Sequence, residues 1–290
     1  AVRRLFLDQP DDVIISQQLF ELLTSISVQM FLNEYVYDVS NDEEKRVSSL
    51  ISEVESVLSN NHLPDEQILL KISLYQDLSK FDLAVHRPEL TRLEPILKRH
   101  IDDRNTEKQI AKTFKKKSAF QNQVSERVKQ QYEENPFPRW ENTNFNRRPV
   151  PLQRIIRSKR TKLRVQNLFS KPKLKALVAG CGTGQEPIEV AKSLKNVEVD
   201  AIDLSVSSLS YAKRKADEMN IQNIDFIHQD ILNLTNSKKK YHIINCSGVL
   251  HHMENPELGL KILSNLLEDE GYMHIALYST QARRGLKQIQ

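Results

Sequence analysis

The most informative run in the chain is KALVAGCGTG, Lys175 to Gly184, where a short apolar segment enters three alternate glycines. Helical spacing resumes directly afterwards, with Pro187 at a position that a first helical turn accepts. Without Cβ atoms such a loop can lie against a ligand, and free N–H groups at a helix start favour an anionic group. Taken alone, the loop is equally a simple tight turn. The order strand, glycine loop, helix is what points to a nucleotide-like ligand. The same glycines divide the chain. None of the seven precedes Gly180, and the remaining four are Gly248, Gly259, Gly271 and Gly285. A long glycine-free stretch argues against an all-β sandwich or barrel, whose tight turns need positive φ, and favours helix before residue 180.

Downstream, short apolar strands alternate with amphipathic helices, the pattern of a parallel α/β sheet with crossover helices. The expected strands are Leu174–Ala179, Val197–Ile202, Ile224–His228, Tyr241–Cys246 and Tyr272–Leu277, with helices at Glu186–Leu194, Ser205–Met219 and Pro256–Leu267. The link from Gln229 to Lys240 is short for a helical crossover. Asp203 closes the second strand, where a carboxylate can accept both hydroxyl protons of a ribose. Its plain alternative is a helix N-cap, a role that Ser205 can fill instead. Asp230 stands just past the third strand, placed to accept from an adenine amine or to serve as a turn residue. Three such positions at successive strand ends favour a nucleoside-containing cofactor. Gln185 stands where a dinucleotide fingerprint has its third glycine or alanine, which counts against NAD.

Upstream, apolar residues recur at helical spacing from Asp12 to Tyr37, after Asn41 or Asp42 as cap through Leu58, after Pro64 through Leu78, and from Pro88 through Leu97. Thr106 to Glu134 reads as one long polar helix, ended by Asn135-Pro136-Phe137-Pro138-Arg139-Trp140, whose prolines impose an extended path. Ser158 to Leu168 is a further helical stretch. The expected organisation is therefore a helical accessory region over 1–130, a connector over 131–172, and a Rossmann-like domain over 173–290.

Composition narrows the class. Hydrophobic residues make up 39% and charged residues 28%, ordinary for a globular protein, and no apolar run reaches the length of a membrane span. Cys181 and Cys246 are too few for a disulfide framework, which suits a reducing, cytoplasmic setting with free thiols. The net charge of +4 hides an asymmetry: residues 1–66 hold four Lys/Arg against thirteen Asp/Glu, whereas 147–175 hold eleven Lys/Arg and no acid. Such a block is a nucleic-acid footprint, a surface for an acidic partner, or a solvated linker face.

Together, KALVAGCGTG, VDAIDLS (Val199–Ser205), Asp230 and INCSGVLHHM (Ile244–Met253) resemble the class I S-adenosylmethionine-dependent methyltransferases. The strings QYEENPFPRW (Gln131–Trp140) and FLNEYVYD (Phe31–Asp38) are similar to segments upstream of the methyltransferase domain in bacterial tetratricopeptide-associated methyltransferases, an arrangement that the rickettsial lysine methyltransferases of outer membrane protein B closely resemble. This resemblance implies S-adenosylmethionine as cofactor. It places Gly180, Cys181, Gly182, Gly184 and Gln185 around the methionine part, Asp203 and Leu204 at the ribose, and Asp230 with Ile231 at the adenine. Ser247 would lie beside the methyl group and Trp140 near the cofactor mouth, a core anchor between domains being the alternative for Trp140. The implied acceptor is a lysine on an extended or unfolded protein segment, and the implied role of the helical region is accessory, including homodimerisation.

Alternatives kept open are an RNA or small-molecule methyltransferase, with nucleic acid less favoured, and a non-catalytic scaffold that binds cofactor. Membrane insertion is not expected. Methyl transfer is an in-line displacement, so an acceptor lysine must first lose a proton, at about 4.6 kcal/mol from a pKa of about 10.4 at pH 7. Tyr132, His251 and Tyr278 are the candidates for the chemical step. His251 and His252 are adjacent, and neighbours in sequence usually diverge in direction; no Cys/His/Asp set at ligand spacing accompanies them, so no metal is expected. The missing initiator Met and the stop at Gln290, just after the fifth strand, suggest a piece of a longer chain.

Overall fold

The structure is a computed structural model, and it describes residues 1–115, 126, 130, 132–133, 136–143, 148–152, 154 and 171–279. The expected helix at 158–168 and most of the basic block lie outside these residues. The chain divides into two compact units, Ala1–Thr106 and Glu107–Gln290. Among the described residues no helix is long and apolar enough to cross a membrane.

The first unit is helical. It opens with α1 (Val2–Leu7), which the sequence reading missed, and α2 (Gln17–Leu32), capped by Ser16, whose side chain accepts from Leu19 N–H. α2 is shorter than its apolar pattern because Glu34 and Tyr35 turn left-handed, at φ 53° and 54°. Helix α3 (Asn41–Ser59) is capped by Ser40, not by Asn41 or Asp42. Ser40 and Glu43 form a reciprocal capping box, which satisfies two N–H groups at once. α4 (Glu66–Ser73) is capped by Asp65 and ends before Leu78. Pro88 does not open a helix; a 3-10 turn at Thr91–Leu93 leads into α5 (Glu94–Leu97), a π stretch at Lys98–Asp103 and α6 (Arg104–Ala111). These elements bury Leu23, Leu50, Leu69, Leu90, Leu93 and Ile96 in one core.

The long helix expected over Thr106–Glu134 breaks at Ala111, and most of its remainder lies outside the described residues. Thr113 Oγ1 donates to the Ile110 carbonyl at 2.7 Å, and Phe114 packs against the core of the second unit. That unit holds a five-stranded sheet in the order β3-β2-β1-β4-β5, parallel throughout: β1 (Leu174–Ala179), β2 (Val197–Asp203), β3 (Ile224–His228), β4 (Tyr241–Ser247) and β5 (Leu267–Ala276). β1 alternates Leu174, Ala176 and Val178 into one core with Leu177 and Ala179 into the other, so both faces are covered. The helices are α7 (Gln185–Ser193), α8 (Val206–Glu218) and α9 (Pro256–Asn265). The short link after β3 carries a 3-10 turn, Ile231–Leu234. β5 begins at Leu267, five residues ahead of expectation, because Leu267 pairs with Tyr241 across a register shift. The chain order reverses between β1 and β4, and in open α/β sheets such a switch point opens a crevice at the carboxyl ends of the strands.

Candidate functional site

The loop after β1 is tied across the sheet: Gly180 and Cys181 both donate their N–H groups to the Ile202 carbonyl at 2.9 Å. Its three glycines have positive φ, and each has a separate cause. A Cβ on Gly180 would sit 2.3 Å from Val249 Cγ2, and one on Gly184 would sit 2.4 Å from Ala212 Cβ on α8. Gly182, at φ 51°, has nothing within 4 Å, because it faces open space. That space is a cavity of about 620 Å³ at the carboxyl edge of the sheet.

Of the residues expected at the site, Gly180, Cys181, Gly182, Gln185, Asp203, Leu204, Asp230, Ile231, Ser247, Tyr132 and Tyr278 line this cavity. Gly184 does not; its role is close packing of the loop against α8. Trp140 does not either, which corrects the expected cofactor contact. It is 7% exposed and stands behind the loop, where its Nε1–H donates to the Thr183 carbonyl at 3.1 Å. Its backbone N–H donates to Tyr211 Oη at 2.9 Å, and Tyr211 O–H donates back to its carbonyl. Thr183 Oγ1 in turn donates to Pro138 O at 2.6 Å. The Pro-Phe-Pro-Arg-Trp segment is therefore a brace for the glycine loop. His251 is also outside the lining, and His252 takes its place. His251 stacks between its neighbour and Tyr278, with ring centroids at 4.1 and 4.3 Å.

The carboxylates of the cavity have different surroundings. Asp203 accepts from Gly182 N–H at 2.7 Å and from Ser205 N–H at 2.9 Å. Burial pushes its pKa up, and these N–H groups pull it partly back. The capping of α8 falls to Ser205, whose hydroxyl accepts from Ser208 N–H at 3.0 Å. Asp230 is 3% exposed. Its Oδ1 accepts from Leu232 N–H at 2.9 Å, while its Oδ2 is buried with no hydrogen-bond partner. Glu186 and Glu189, on the first turns of α7, also line the cavity and were missed by the sequence reading. Both have pKa values raised chiefly by burial, and Ser247 Oγ donates to Glu186 at 3.2 Å. Their spacing, two and five residues after Gly184, was the available signal.

Glu133 was missed as well. Its carboxylate accepts from Val206 N–H and Ser207 N–H, both at 2.9 Å, and from Ser207 Oγ at 2.7 Å. Ser205 Oγ donates to the Tyr132 carbonyl at 3.0 Å. These bonds fix Tyr132 at the cavity, where burial first, then the proximity of Tyr278 and Asp203, raises its phenol pKa. The thiols are inert: Cys181 and Cys246 are both buried, with pKa values raised by burial, that of Cys246 to about 12. Among the described residues no three His, Cys, Asp or Glu side chains converge as a metal site.

A glycine loop between a parallel strand and a helix, followed by acids at the ends of β2 and β3, defines a Rossmann-like nucleoside-cofactor domain. Residues 170–289 match the family described as "Methyltransferase domain". This segment is a class I, S-adenosylmethionine-dependent methyltransferase domain. The chain is 33% identical over 115 residues to an uncharacterised protein of Synechococcus, spanning 39% of this chain and 28% of that one. It is 30% identical over 96 residues to the probable (S)-tetrahydroprotoberberine N-methyltransferase 2 of Papaver bracteatum, spanning 33% of this chain and 26% of that one. The chain thus spans about a quarter of the length of these relatives. Among solved structures, PKMT2 of Rickettsia typhi in complex with AdoHcy is 27% identical, with a TM-score of 0.32, covering 34% of this chain and 19% of that one. The residues fit S-adenosylmethionine: Asp230 Oδ2 is a buried acceptor awaiting a donor, and Gly182 leaves open room beside Asp203.

Proposed function

We propose that the chain transfers a methyl group from S-adenosylmethionine to an amine, and that the acceptor is a lysine side chain on an extended or unfolded protein segment. The carrying observation is the charge of the cavity. Its described lining holds four carboxylates, on Glu186, Glu189, Asp203 and Asp230, and neither lysine nor arginine. Such a surface attracts a cationic cofactor and an ammonium acceptor and repels the phosphates of a nucleic acid. In this reading Asp203 accepts the ribose hydroxyls, Asp230 the adenine amine, and the glycine loop holds the methionine part. When bound, the cofactor supplies an electrophilic methyl group on a positive sulfonium.

The remaining work of the protein is alignment and desolvation of the nucleophile. Phe137, Pro138, Val249 and Met253 give the cavity its apolar portion, which favours the neutral amine over the ammonium. Tyr132 and Tyr278 are the groups placed to orient the acceptor, with His252 beside them. The arrangement of a helical region and the Gln131–Trp140 segment ahead of the methyltransferase domain, similar to that of rickettsial lysine methyltransferases, supports a protein acceptor. A small-molecule amine is the second reading, favoured by the substrate in the name of the Papaver relative. The test is mass spectrometry of denatured lysate proteins and of a small-amine library after incubation with protein and methyl donor. Mass gains of 14 Da units on lysine are the expected result; label confined to small amines would establish the second reading, and label on RNA would overturn both.

A further inference from the structure

Four carboxylates face the cavity, and the preceding reading gives a ligand group to two of them. Glu186 remains. It lies on the first turn of α7, and the Ser247 hydroxyl at the carboxyl end of β4 donates to it at 3.2 Å. The Asn245 side chain also lowers its pKa. Both are neutral; the His274 imidazole on β5 also favours the carboxylate electrostatically, and no lysine or arginine belongs to the described lining. Glu189 lies one turn further along α7 from the glycine loop, where Gln185 Nε2 donates to it at 3.5 Å.

Position identifies what Glu186 meets. Along the carboxyl edge of the sheet the order is Asp230 after β3, Asp203 at β2, the glycine loop after β1, then Ser247 with Glu186 at β4. That edge spans three strand spacings, about 14 Å. The far end is fixed independently by Asp230 Oδ2, 3% exposed and without a hydrogen-bond partner, which calls for a donor from the ligand. A nucleoside anchored at β3 and β2 therefore carries its other end over β1 to β4. In S-adenosylmethionine that other end bears an α-ammonium and a carboxylate. The free N–H groups at the start of α7 favour the carboxylate, leaving the ammonium for the acid.

We infer that Glu186, steadied by Ser247, is the anchor for the α-ammonium of the methionine tail. The assignment rests on the reading that the cavity binds this cofactor. It is tested by calorimetry with two ligands that share the nucleoside: S-adenosylhomocysteine, which has the tail, and 5′-methylthioadenosine, which lacks it. Glu186→Gln should weaken S-adenosylhomocysteine about tenfold to a hundredfold, the range for a hydrogen bond between charged groups, and leave 5′-methylthioadenosine within about twofold. Ser247→Ala should show the same selectivity with a smaller loss. Equal loss for both ligands, no loss, or tighter binding of S-adenosylhomocysteine by Glu186→Gln would overturn the assignment, the last because it would place Glu186 beside the tail carboxylate. Failure of the wild type to bind either ligand would overturn the cavity reading itself and this assignment with it. A circular dichroism melt of each variant excludes unfolding as the cause.

Discussion

Single atoms carry the sharpest expectations at this site. Asp230→Asn keeps an oxygen for the Leu232 N–H but replaces the partnerless Oδ2 with a donor. Affinity for S-adenosylhomocysteine should fall at least about tenfold by calorimetry, while the ligand-free melting temperature should not fall, because a buried charge has been removed. The glycines separate in the same way. Gly184→Ala forces a Cβ into Ala212 at positive φ and should cost about 2–4 kcal/mol in denaturant unfolding. Gly182→Ala meets open space, so its stability loss should be about 1–2 kcal/mol and its main effect on ligand affinity. Sequence spacing was enough to mark Gly180, Asp203 and Asp230 as one edge of a site. It was not enough for His251 and Trp140, since the first depends on which of two adjacent rings turns inward. The second depends on a hydrogen bond to Thr183, 43 residues away.

At the scale of elements, helix starts decide where the functional groups stand. α8 begins with Ser205 as cap, and Glu133 covers the next two N–H groups from a segment distant in sequence. Both the unpaired N–H groups and the positive end of the helix favour this carboxylate. Glu133→Ala should therefore cost about 1–2 kcal/mol in denaturant unfolding and accelerate hydrogen exchange at Val206 and Ser207, with Glu133→Gln intermediate. Unchanged exchange at those amides would rule out the cap. Strands were legible because hydrophobic runs bounded by turns have few alternatives: β1 and β3 fall at the expected residues. Boundaries set by competition were not. Leu267 stood in the apolar pattern of α9, yet it entered β5, because pairing with Tyr241 extends the sheet. Likewise Ser40 caps α3 ahead of Asn41 because Glu43 lies three residues on and completes the reciprocal pair.

At the scale of the whole molecule, each unit has its own apolar core: one in residues 1–106, and two in the second unit, one on each face of the sheet. The ligand-facing groups all belong to the second unit, and so do both cysteines. Thiol labelling is thus a reporter for that unit alone. Cys181 lines the cavity, so a ligand shields it directly, whereas Cys246 lies outside the lining at 0% exposed. Burial raises its pKa to about 12, so little of the buried thiol is ionised near neutral pH and labelling requires the unit to open. A ligand that binds only the folded unit at a hundredfold excess over Kd adds about 2.7 kcal/mol, a factor of about a hundred in the opening equilibrium. S-adenosylhomocysteine should therefore slow the labelling of Cys246 about a hundredfold under conditions where reclosing outpaces reaction. Calorimetric unfolding should show the same ligand raising the transition of the second unit. If Cys246 labels at the free-thiol rate, or if its rate is indifferent to a ligand that calorimetry shows to be bound, the thiol is not enclosed as the structure has it.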